Sequence, residues 1–155
     1  MRASDPAAAL AAASRALRGY NDALADECLA TAKKVWLFEQ GREPNLFRVG
    51  NTTGGHPQDE ELRAAVQLLL ATGEARYAEA VARLWPAIDE RFVFNAQPAV
   101  QALPHMDAAF RERLRQRAQR FLEERASMME ANPYGVPVTR GGWAGNSAVV
   151  GSAIT

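Results

Sequence analysis

The stretch Pro-Gln-Asp-Glu-Glu-Leu-Arg-Ala-Ala-Val-Gln-Leu-Leu-Leu-Ala-Thr-Gly-Glu, residues 57–74, decides the fold. Pro57 suits a first helical position, because a helix start leaves that N–H unpaired anyway. Asp59, Glu60 and Glu61 complement the positive end of the helix dipole, which accounts for the three acids without giving them chemistry. Leu62, Ala65, Val66, Leu69 and Leu70 then recur at helical spacing and form one apolar stripe. Ala71-Thr72-Gly73-Glu74 is a tight stop, and a second helix follows with Tyr77, Ala78, Val81 and Leu84 inside. Two helices joined by so short a link pack as an antiparallel hairpin.

The same grammar extends in both directions. Asp5-Pro6 predicts a helix start with Asp5 as cap, and Leu10, Ala13 and Leu17 mark its buried face. Gly19 ends that helix, and Asn21 or Asp22 starts the next, with Leu24, Cys28, Thr31 and Val35 as its stripe. The segment from Gly41 to Pro57 is rich in glycine, proline, asparagine and threonine and reads as a long functional loop. Pro86, Pro98 and Pro104 break up the next region, which predicts two short helices there. Asp107 to Glu130 is the longest helix, with Phe110, Leu114, Ala118, Phe121 and Leu122 inside. No strong alternating strand pattern appears. The fold class is all-α, built from successive helical hairpins. Such a stack can stay an open solenoid or close into an α/α toroid, and periodicity does not choose between them.

Composition removes several functions. The 155 residues fit one domain, and 18 basic residues balance 18 acidic ones. That balance gives no overall reason to expect nucleic acid or an anionic membrane as partner. No apolar run approaches the ~20 residues of a membrane helix, and the start of the chain lacks a signal core. Cys28 is the single cysteine, so no internal disulfide forms; its place in a helical pattern makes it a small core residue. His56 and His105 have no second histidine or cysteine at ligand spacing, so no metal site and no cofactor is expected. His56 reads as an exposed loop residue, and His105 as part of a helix start. Asp89-Glu90 and the run Arg111, Arg113, Arg115, Arg117 read as solvated faces.

The best binding candidate lies further on. Asn132-Pro133-Tyr134-Gly135-Val136-Pro137 runs into Gly141-Gly142-Trp143-Ala144-Gly145-Asn146-Ser147. Two prolines each fix a φ angle, so the loop is stiff and can present flat rings. Sugars stack on such rings through their C–H faces. Trp143 is the expected platform, with Arg140, Asn146 and Tyr134 beside it. The competing reading makes Trp143 a plug for the core beneath. Asn146-Ser147 also resembles an N-cap for an apolar run through Ile154, so the chain reads as a fragment of something larger.

Three segments together carry a resemblance. The loop motif just quoted, Ala-Leu-Arg-Gly-Tyr-Asn-Asp-Ala-Leu-Ala-Asp-Glu-Cys-Leu (residues 16–29) and residues 59–74 resemble, in order, the C-terminal portion of the catalytic module of glycoside hydrolase family nine, the cellulases and exo-glucosidases. The resemblance implies an α/α toroid of six hairpins, of which residues 1–155 are a part, and an inverting β-glycosidase acting on β-1,4-glucan or related oligosaccharides. In that family an aspartate of an Asp-Ala-Gly-Asp-like motif activates the water, and a glutamate near the module's end gives the proton. This chain has no such aspartate motif, and the glutamate position falls beyond Thr155. No catalytic residue is therefore carried over, and the chain alone is expected to be inactive. Many members place a His-Arg element after the Asn-Pro-Tyr-Gly segment. Here Thr139-Arg140-Gly141-Gly142-Trp143 lacks the histidine, which points away from ordinary endocellulase specificity and leaves exo-acting or amino-sugar variants open.

The implied partners are an oligosaccharide or polysaccharide and the remainder of the parent module, in a secreted or periplasmic enzyme. Two readings from other classes stand beside it. One is a non-enzymatic α-hairpin scaffold that binds a protein on a concave face, and the other is a small α/α sugar-binding module.

Overall fold

A computed structural model describes residues 4–42, 48–49, 52–53, 56–131, 133 and 135. The first hairpin is α1 (Ser4–Leu17) and α2 (Asp22–Gln40), the second α3 (Pro57–Thr72) and α4 (Ala75–Arg83). A short α5 (Trp85–Glu90) leads into the third hairpin, α6 (Phe92–Ala102) and α7 (Ala108–Glu130), joined through a 3-10 turn at Leu103–His105. The described residues are helical apart from turns and one tiny ladder. In that ladder β1 (Arg48–Val49) pairs antiparallel with β2 (Thr52–Thr53), Arg48 opposite Thr53. It lies inside the segment expected to be loop, and two-residue strands need no alternating pattern to form.

Local chemistry explains the boundaries. Asn21 caps α2 by accepting the Leu24 N–H, and Asp107 caps α7 by accepting the Phe110 N–H at 2.7 Å. Pro57 holds the first position of α3, and Gly73 closes it in the left-handed conformation, φ 68°. Helix α1 begins at Ser4, so Asp5 lies inside the helix and is not its cap.

The hairpins stand in a definite order. Arg15 of α1 donates to Gln67 of α3, which donates to Gln101 of α6. Nearer the start of α3, Asp59 meets Asn95 of α6. These pairs put α1, α3 and α6 side by side and parallel. Helix α2 runs against α3, with Gln40 on Glu61. Helix α4 returns along α3 so that Arg83 also reaches Glu61, and α7 returns along α6 with Phe121 on Phe92. Parallel inner helices backed by antiparallel outer ones are the arrangement of an arc of an α/α toroid.

The core fills the space between the two rows. Leu62, Val66, Leu68, Leu69, Val81 and Ile88 are fully buried or nearly so. Each such side chain contributes about 1.5–3 kcal/mol. Trp36 meets Tyr77 edge-on, and Trp85 meets Phe110 in the same way at 5.4 Å between ring centres.

Several expected positions shift. In α1 the innermost residues are Ala7, Ala11 and Ser14, with Leu10 and Ala13 half-buried. In α2 they are Ala25, Ala32 and Trp36, while Leu24 and Thr31 are exposed and Cys28 is only half-buried. The reason is shared: where hairpins press backbone close to backbone, alanine and serine occupy the contact line and longer side chains are turned to its edges. Leu122 also faces outward, and Phe121 alone of that pair enters the core. Pro98 breaks nothing; it sits buried within α6, which runs through it. Arg117 is buried, not solvated. Its guanidinium lies over the Phe92 ring and pairs with Asp89 at 2.8 Å. Asp89 is thereby paired, while Glu90, Arg111, Arg113 and Arg115 are exposed.

Candidate functional site

The connections sort by length onto opposite ends of the arc. Inner helices pass to outer ones through short turns at 18–21, 73–74 and 103–107. Outer helices pass back to inner ones through longer segments: 41–56 before α3, and α5 with its flanks before α6. Helix α7 ends at Glu130, and so at the same end as these longer segments. Long connections on a rigid scaffold are where binding groups concentrate. The candidate face is therefore the end holding the N-termini of α3 and α6.

Ion pairs stitch this face together. Asp59, only 3% exposed, accepts from Arg91 Nε and from Asn95 Nδ2, each at 2.8 Å. Asn95 also donates to the Ala87 carbonyl at 3.0 Å. Glu61 takes Arg83 at 2.8 Å, and Asp89 takes Arg117 and Arg120. Glu60 is buried as well. The sequence placed Asp59, Glu60 and Glu61 as dipole-complementing acids, and for Asp59 and Glu61 that account is incomplete, since each also holds an arginine. A carboxylate occupied by an arginine and an amide holds two helices together. His56 is exposed and makes no side-chain cap at the α3 start, and His105 is exposed in the 3-10 turn.

Beside these pairs, on the inner face, α1, α3 and α6 enclose a cleft of about 340 Å³. Arg63 and Gln67 of α3 and Phe94, Gln97 and Gln101 of α6 line it, with Ala8 and Ala12 from α1. Phe94 is 58% exposed, and Arg91 stacks on its ring at 4.9 Å. The sequence reading passed over this group. Its signal was present: Phe94, Gln97 and Gln101 sit three and four residues apart on a helix whose other faces are apolar.

Trp143, Arg140, Asn146 and Tyr134, the expected sugar contacts, lie outside the described residues. Among the described residues no group of three or more His, Cys, Asp or Glu is placed to hold a metal ion. Among them, too, no helix is long and apolar enough to cross a membrane.

Comparison with known proteins gives the geometry its setting. No curated protein sequence matches the chain. Solved structures do. A single-mutant thermostable endoglucanase from Alicyclobacillus acidocaldarius aligns at TM-score 0.72 and 21% identity over 96% of this chain. A metagenome-derived glycoside hydrolase family 9 endoglucanase aligns at 0.69 and 25% over 97%. AaCel9A in complex with a cellobiose-like isofagomine aligns at 0.74 and 22% over 96%. The chain spans 31% of the length of each of these structures. The sequence pattern described as Glycosyl hydrolase family 9 matches residues 2–155, and with hairpins laid out as the toroid requires, the chain belongs to that family.

Proposed function

We propose that residues 1–155 form one arc of the α/α-toroid catalytic module of an inverting β-glycoside hydrolase, acting on β-1,4-glucan or related oligosaccharides. One observation carries this reading: the family pattern runs through the whole chain, while the chain spans only 31% of comparable enzymes. The endoglucanase neighbours, and the sugar mimic bound to one of them, support the substrate class.

In this reading the arc supplies binding surface and the remainder of the module supplies the chemistry. Inversion needs two carboxyl groups roughly 6.5–9.5 Å apart, with a water between one of them and the sugar. Asp59, Glu61 and Asp89 are already held by arginines, which fits a structural role for them. Trp143 stacks the sugar, while Arg140, Asn146 and Tyr134 bond its hydroxyls. The isolated chain therefore binds cello-oligosaccharide weakly and does not hydrolyse it. Calorimetry with cellotetraose should show binding that Trp143→Ala diminishes. Turnover of an aryl β-glucoside or a cellodextrin by the chain alone would overturn the division of labour.

A further inference from the structure

We draw no further inference here: the strongest candidate, the exposed apolar patch of Leu37 and Phe38 at the C-terminal end of α2, where Arg42 stacks on the Phe38 ring, carries no proposal, since nothing in the structure shows what covers it.

Discussion

Arg91 Nε lies 2.8 Å from Asp59 Oδ2, so one ion pair ties the first turn of α3 to the residue that caps α6. The two partners are unequal. Asp59 is almost wholly buried, while Arg91 keeps about a third of its side chain in water. Removing the arginine strands a buried charge; removing the charge leaves an arginine that water can still solvate. Arg91→Met should therefore cost about 3 kcal/mol and Asp59→Asn nearer 1 kcal/mol. Urea unfolding followed at 222 nm would show the order, and equal losses would refute this asymmetry.

Gly73 closes α3 at φ 68°, with nothing within 4 Å of where a Cβ would sit. Gly73→Ala should destabilise by about 1 kcal/mol through backbone strain alone, since there is no clash to relieve. A thermal melt should show an unaltered fold and a midpoint lower by a few degrees.

Glu112 is held at about 2 by Arg115 and then by Gln116, both bonded to its carboxylate on the outer face of α7. A depressed carboxylate contributes stability that is present above its unfolded value near 4.5 and is lost as pH falls through about 2. Glu112→Gln has nothing to lose in that interval. The difference in stability between parent and variant should shrink steadily on acidification and vanish below pH 2. Glu74, lowered chiefly by its bond to Lys33, adds to the same acid limb.

Tyr77 is buried with a hydroxyl that finds no partner among the described residues. Burial pushes its phenol above the ordinary value, while the Arg76 guanidinium stacked on the ring pulls the other way. The folded state keeps that proton longer than the unfolded chain does. Its stabilising effect is thus complete below pH 10 and lost as pH rises beyond. Tyr77→Phe should leave the neutral melting midpoint unchanged or slightly raised, and should remove part of the alkaline destabilisation.

Leu37, Phe38, Phe94, Val100 and Leu122 are each more than half exposed. Apolar surface of that extent favours association. Light scattering on the isolated chain should give a mass that grows with concentration. A monomer at every concentration tested would contradict the proposed arc.

The hairpin plan was readable because Pro57, Gly73 and the Leu62–Leu69 stripe agree with one another. Alanine defeated the finer reading. In α1 and α2 nearly every turn offers a small residue, so the buried face was placed about one residue from its true position. Leu10 and Leu24 drew the eye, while Ala7, Ala11, Ala25 and Ala32 carry the contact. Arg117 shows the complementary failure. Its charge matches its neighbours Arg113 and Arg115, and only the positions of Phe92 and Asp89 single it out. The Asp59 cluster was hidden for the same reason, since Arg91 and Asn95 stand 32 and 36 residues away. The inner-face cleft left a legible trace in the spacing of Phe94, Gln97 and Gln101. Its depth depends on α1 and α3, which no single segment reveals.

Because each outward-to-inward return departs from one pole, the molecule divides its evolutionary liberties unevenly. A longer segment between Gln40 and Pro57 would enlarge the rim without disturbing which helices touch. A single added residue between Thr72 and Ala75 would rotate α4 away from its neighbour. Natural variants should differ in size almost wholly at the first pole and keep constant spacing at the second.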